Sequence, residues 1–141
     1  MRRALGLDVG SKTIGVAVSD SLGITAQGVC TIRRHGWDND LAALMGYVRE
    51  YEAAEFVVGL PKNMDGSIGP AADKAAEFAE RLRGDSGLPV TLVDERLSTM
   101  IATKTLIGGG VSRENRKGVV DKLAAQIILQ GYLDRKQRET K

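Results

Sequence analysis

One stretch governs what this chain can fold into: Leu5 to Asp20, LGLDVGSKTIGVAVSD. Leu5, Leu7 and Val9 alternate with Gly6 and Asp8, which is the period of a strand. Ile14, Val16 and Val18 alternate in the same way with Gly15, Ala17 and Ser19, and the intervening Gly10-Ser11-Lys12 predicts a β-hairpin. Gly6, Gly10, Gly15 and Ala17 leave room around Asp8, as expected where a ligand or metal approaches the backbone. An acid inside an apolar strand is costly without a partner. Two readings follow. Either Asp8 only accepts hydrogen bonds from turn amides, or it is the first ligand of a metal or phosphate site.

Beyond the hairpin, Ile24 to Ile32 predicts a third strand, weakened by Gly28, and Arg33 to Asp38 a polar turn. Asp38 is placed to cap a helix to about Glu52, with Leu41, Leu44, Met45 and Val48 on its inner face. Phe56 to Leu60 is a continuous apolar run that suits a buried parallel strand. Pro61 ends it, and Pro70 opens a helix to about Arg83, with Ala72, Ala75, Ala76, Phe78, Ala79 and Leu82 inward. Val90 to Val93 predicts another short buried strand. A helix capped by Ser98 or Thr99 follows to about Ile107. Gly108-Gly109-Gly110 and Val111 to Gly118 read as a mobile, mostly basic loop that orders on binding phosphates. The last helix runs from about Gly118 to Arg135, with Val120, Leu123, Ala124, Ile127 and Leu133 inward and KQRETK frayed. The order β-β-β-α-β-α-β-α-α makes a mixed sheet, its first three strands antiparallel, flanked by helices. No repeat or linker divides residues 1–141, a length that suits one domain.

Composition removes several classes. The single cysteine, Cys30, cannot make an internal disulfide, which fits a reducing compartment and a cytoplasmic location. No apolar run approaches about 18 residues, so no membrane helix is expected. His35, the only histidine, stands in RRHGWD without partners for a zinc site or a triad and reads as an exposed loop residue. Charge is uneven. Met1 to Val111 holds 12 Lys/Arg against 14 Asp/Glu, and Ser112 to Lys141 holds 8 against 4. A basic end on a near-neutral body fits either a polyanion partner or a solvated helix end.

In a mixed α/β sheet, ligands sit beyond the carboxyl ends of the parallel strands. Asp8 stands near such an end, and Glu95 follows the last strand directly. Asp121 lies one turn before Ala124 and Ala125 on the last helix, at the border of its apolar face. Unpaired, three converging acids repel one another and take up protons. A donor set of oxygen alone suits Mg²⁺ or Mn²⁺.

The segments LGLDVGSKTIGVAVSD, VVGLPKNMDGSIGPAA, VDERLST and RKGVVDKLAAQIIL together resemble the YqgF, or RuvX, family of RuvC-like proteins in the ribonuclease H superfamily. They span nearly the whole chain in the family's order, although DVGSK alone also resembles the phosphate loop of actin-like ATPases. The resemblance implies a ribonuclease H-like α/β fold with a five-stranded mixed sheet. It also implies a metal-dependent nuclease that matures the 5′ end of 16S rRNA from pre-rRNA or resolves Holliday junctions in branched DNA. The family's acidic positions fall on Asp8, Glu95 and Asp121. Gly28 stands where a proline is common, and Thr13 where a basic residue is common.

On this map, Lys12, Lys62, Asn63, Arg96, Arg113, Arg116, Lys117 and Lys122 are the candidate nucleic-acid contacts. Arg96 reads equally as an ion pair for Asp94, and the Lys62–Asn63 loop as a shaped turn. Aromatic residues make up 4% of the chain, so phosphate contacts rather than base stacking are expected to dominate. The rival functions are a non-catalytic RNA-binding assembly factor and an actin-like ATPase. The latter fold needs two such domains to close on a nucleotide. A monomer and a homodimer are both compatible with the sequence.

Overall fold

The computed structural model describes residues 3–60, 69–94 and 113–139, with side chains of the last segment from 122 to 137. Three strands, β1 (Arg3–Val9), β2 (Thr13–Ser19) and β3 (Ala26–Arg33), precede α1 (Trp37–Tyr51) and β4 (Ala53–Leu60). Then come α2 (Pro70–Ser86), β5 (Val90–Asp94) and α3 (Arg113–Glu139). The five strands lie in the order β3-β2-β1-β4-β5. The first three are antiparallel neighbours, and β1, β4 and β5 run parallel, so the expected mixed sheet is present.

Strand alternation sorts the two faces by size. Leu5, Leu7, Ile14, Val16, Val18, Phe56 and Val58 are buried on the face that carries α1 and α2, together with Leu44, Phe78 and Leu82. Each such fully buried side chain contributes about 1.5–3 kcal/mol. The other face is built of Ala4, Ala17, Ala26, Val57 and Val93, and α3 covers it with Ala125, Ile128, Leu129, Tyr132 and Leu133. Small residues on that face let the helix come close. A Cβ at Gly6 would lie 2.7 Å from the Leu129 Cβ and 3.1 Å from the Ala125 carbonyl oxygen.

Several boundaries differ from the sequence expectation, each for a physical reason. β3 begins at Ala26 rather than Ile24. The Asp20 carboxylate accepts the Ile24 and Thr25 backbone N–H groups at 2.8 and 3.3 Å, which holds a turn and leaves Ile24 48% exposed. α1 begins at Trp37, with Gly36 at a φ of 98° as its N-cap, so Asp38 lies within the first turn and does not cap. β5 is an edge strand of the described sheet, and Thr91 and Leu92 are exposed rather than buried. α3 starts at Arg113, so Arg113 to Gly118 is helix and not loop. Elongating a formed helix adds a hydrogen bond for each residue fixed, and one internal glycine costs only about 1 kcal/mol. Ala124 and Leu133 of α3 are buried as expected, Ala125, Ile128, Leu129 and Tyr132 are buried with them, and Leu123 and Ile127 lie at the margins. The expected helix at 98–107 and the glycines at 108–110 lie outside the described residues.

Candidate functional site

The site is built on the end of β1. Asp8 pairs in register with Gly15 of β2, and Gly6 pairs with Ala17. Residues two apart on a strand share a face, so Asp8 stands on the small-residue face beside Gly6. Across the ladder, Gly15 has no side chain to fill the space.

α3 runs antiparallel to β1 over this face. The Tyr132 hydroxyl donates to Glu55 Oε1 at 2.6 Å, and Glu55 pairs with Ala4 at the start of β1. Two residues further along β1, Gly6 meets Leu129 and Ala125. The next step on the strand, to Asp8, advances about 7 Å. The next turn of the helix, from Ala125 back to position 121, retreats about 6 Å. Position 121 of the helix therefore comes to the level of Asp8 on the same face of the sheet.

The parallel strands also end together. Val58 pairs with both Leu7 and Leu92, and Leu60 pairs with Asp94, so the last described residue of β5 is level with the end of β1. Glu95, the next residue, lies outside the described residues, as do Lys62, Asn63 and Arg96. Asp8 is thus the one proposed acid whose side chain is described. Among the described residues no three His, Cys, Asp or Glu side chains group to hold a metal. Around Asp8 itself the fit is good. Asp8 is a hard oxygen donor, the type that an oxygen-ligated divalent cation takes, and the residue across the ladder, Gly15, carries no side chain.

The basic candidates separate into two stripes and a turn. Arg113 and Lys117 lie eight and four residues before Asp121 on α3, on one helical stripe, with Arg116 beside them. Lys122 belongs to the neighbouring stripe over β3. Its Cγ lies where a Cβ at Gly28 would come within 2.7 Å, so Gly28 is what lets the lysine stem lie against the strand. Further along that stripe, Gln130 accepts from the Ala26 N–H and donates to the Ile24 carbonyl, which ties helix to strand. Lys12 is exposed in the β1–β2 turn.

One element of the site was missed by sequence reasoning. Arg34 fastens the β1–β2 turn: its backbone N–H donates to the Lys12 carbonyl at 2.9 Å and its Nη1 to the Gly10 carbonyl at 2.9 Å. Its Nε donates to Asp40 Oδ2 at 3.1 Å, and Asp40, 2% exposed, also accepts the His35 N–H. The signal was there. Asp40 interrupts the buried stripe of α1 between Trp37 and Leu44, and a carboxylate in such a place needs a cation. His35 is exposed, as expected.

A five-stranded mixed sheet in this order, with a carboxylate at the end of its central strand and a helix crossing beside it, is the architecture of the ribonuclease H-like, RuvC-related proteins. RuvC from Thermus thermophilus, solved in complex with a Holliday junction substrate, shares this fold at a TM-score of 0.51 and 12% identity, covering 96% of each chain. The chain belongs to the RuvX family, whose model, described as "Holliday junction resolvase", matches residues 2–135. A Moorella thermoacetica relative named "Putative pre-16S rRNA nuclease" is 56% identical over 133 residues, 94% of this chain and 95% of its own length. One of the same name from Myxococcus xanthus is 55% identical over 132 residues, 94% of this chain and 87% of its own.

Proposed function

We propose that this chain is a metal-dependent endonuclease that hydrolyses phosphodiester bonds in structured nucleic acid and matures the 5′ end of 16S rRNA from its precursor. What supports the reading is that Asp8 stands near the end of the central strand on its small-residue face, and that the close approach of α3 at Gly6 leads back along the helix towards position 121. The names of relatives at 55–56% identity supply the substrate. Asp8, Glu95 and Asp121 are the proposed ligands of Mg²⁺ or Mn²⁺. Bound there, the cation supplies Lewis-acid polarisation of the scissile phosphate and lowers the pKa of an attacking water.

The chain's own residues do the rest. The acids would hold the cation, Asp8 from a strand and Asp121 from a helix, elements that position groups better than loops do. Arg113, Arg116 and Lys117 on α3, with Lys12, Lys62, Asn63, Arg96 and Lys122, hold backbone phosphates and set the strand's register without reading sequence. Attack of water on phosphorus in line with the 3′-oxygen breaks the P–O3′ bond and leaves a 5′-phosphate and a 3′-hydroxyl. Among the described residues no helix is long and apolar enough to cross a membrane, and a pre-rRNA substrate puts the work of the enzyme in the cytoplasm.

The description of the family model favours a second reading, cleavage of four-way DNA junctions. One assay separates the two readings from a non-catalytic binding factor. Pre-rRNA and a synthetic junction are offered side by side to the wild-type protein and to Asp8→Asn. We expect Mg²⁺-dependent cleavage of the RNA with 5′-phosphate ends, lost in the variant. Cleavage of the junction alone selects the second reading. Equal activity of the wild type and Asp8→Asn overturns both.

A further inference from the structure

On the face opposite Asp8, at the same edge of the sheet, lies a cleft of about 520 Å³. Its walls are Val9 to Ser11 at the end of β1, Arg34 and Trp37 before and at the start of α1, and Lys74, Phe78 and Arg81 of α2. A space of this size holds a nucleotide, since ligand pockets run from about 300 to 1,000 Å³. Three cations line it against one acid, Glu77. Lys74 is exposed and makes no ion pair or hydrogen bond among the described residues. Arg81 lies over the Trp37 ring, 4.6 Å from its centroid. Arg34 stacks on Phe78 at 5.4 Å and spends two of its five donors on Asp40 and Gly10. Lys74 and Arg81 are two helical turns apart, about 10 Å along α2, so they span more than one phosphate of an extended strand.

The position gives the cleft a role. Val9 follows Asp8 directly, on the other face of the same strand. A polynucleotide held at Asp8 and crossing the Gly10–Lys12 turn enters this cleft next. We propose that the cleft is a subsite for the sugar-phosphate backbone of the strand flanking the scissile bond, with Lys74, Arg81 and Arg34 as its phosphate ligands. The proposal rests on the nuclease reading for its path but on the cleft alone for its binding.

Trp37 is the only tryptophan in the chain, so its emission reports on this cleft. The purified full chain is titrated at low salt with a single-stranded oligouridylate, its deoxy counterpart and uridine monophosphate. Anisotropy of a labelled oligonucleotide gives total binding independently. We expect both oligonucleotides to change Trp37 emission saturably, and the monophosphate to bind far more weakly. Lys74→Glu, on the exposed side of α2, should weaken oligonucleotide binding by about tenfold, through one lost phosphate contact and one like charge, and Lys74→Gln by less. Oligonucleotide binding by anisotropy with silent Trp37 emission overturns the proposal, as does wild-type affinity in Lys74→Glu. Saturation by uridine monophosphate at the affinity of the oligonucleotide makes the cleft a mononucleotide site and overturns the strand path. If the protein cleaves nothing yet the emission change and the Lys74→Glu loss are both present, the hydrolytic reading falls and the subsite stands. Cleavage with no emission change leaves the nuclease and removes the subsite.

Discussion

Gly6 of β1 faces Leu129 of α3 so closely that a single added carbon at position 6 would stand 2.7 Å from the Leu129 Cβ. The contact sets how near the helix that carries Asp121 approaches the strand that carries Asp8. Gly6→Ala must therefore push α3 off the sheet, because a backbone carbonyl and a Cβ cannot rotate away. Overpacking of this kind costs about 1–3 kcal/mol. We expect the variant to fold with a lowered midpoint in urea, and its cleavage rate at a temperature where it is fully folded to drop at least as far as that of a core variant of equal stability. Wild-type turnover in a folded Gly6→Ala protein would detach helix placement from activity.

Metal binding should be visible without any substrate. A ligand that binds only the folded state at about 100 times its Kd stabilises by about 2.7 kcal/mol. Mg²⁺ or Mn²⁺ should raise the wild-type melting temperature and have a much smaller effect on Asp8→Asn. In the metal-free state Asp8→Asn should melt no lower than wild type if the proposed cluster of acids forms, since removing one charge from it would relieve repulsion. A large loss of melting temperature in Asp8→Asn would return Asp8 to a purely structural role.

The helical conformation of Arg113 to Lys117 puts three cations within one and a half turns of α3. If they contact phosphates, the Arg113→Ala, Arg116→Ala, Lys117→Ala triple variant loses about 0.7–0.9 from the log–log salt slope of nucleic-acid binding for each contact. Binding isotherms across a salt series measure it, and an unchanged slope would make them solvated charges only.

Asp40 joins Arg34 to the His35 amide from a nearly closed site. Asp40→Ala leaves the Arg34 guanidinium with a half-buried, uncompensated charge and frees the Gly10–Lys12 turn. Breaking such a pair costs about 3 kcal/mol, or roughly 10 °C in melting temperature for a chain of this length. Scanning calorimetry of Asp40→Ala and Asp40→Asn checks it, with the amide, which can still accept one of the two hydrogen bonds, expected to lose less.

Tyr47 of α1 and Cys30 of β3 hydrogen-bond at 3.1 Å. That bond first, and burial second, push the Tyr47 phenol up from 10.0 to about 12. A raised pKa favours the protonated form in the folded state, so the associated stability is fully present below pH 10 and fades as pH rises through 12. Tyrosinate absorbance should show Tyr47 titrating late, beside Tyr132, whose phenol burial also raises, and Cys30→Ala should move the Tyr47 phenol back towards 10 and lessen the alkaline loss of stability.

The sequence alone carried the sheet. The two-residue alternation of Leu5, Leu7 and Val9 against Gly6 and Asp8, and of Ile14, Val16 and Val18 against Gly15, Ala17 and Ser19, already contained the division into a bulky face and a small-residue face, because neighbouring side chains on a strand must point opposite ways. It also marked Asp8 as an acid in an apolar strand that needs a partner, and it carried the family, through four motifs in order. Tertiary structure decided what local pattern leaves open. Whether Arg113 to Gly118 is loop or helix turns on about a kilocalorie of glycine propensity, which the docking of a long helix on a sheet overrides. That Ala125 and Leu129 are the residues of α3 that meet Gly6 was decided by the docking of the helix on that face. The Arg34–Asp40 clamp and the cleft beside Trp37 join segments whose nearness only the packed helices create, and pairing between distant elements leaves no period in a sequence from which to read it.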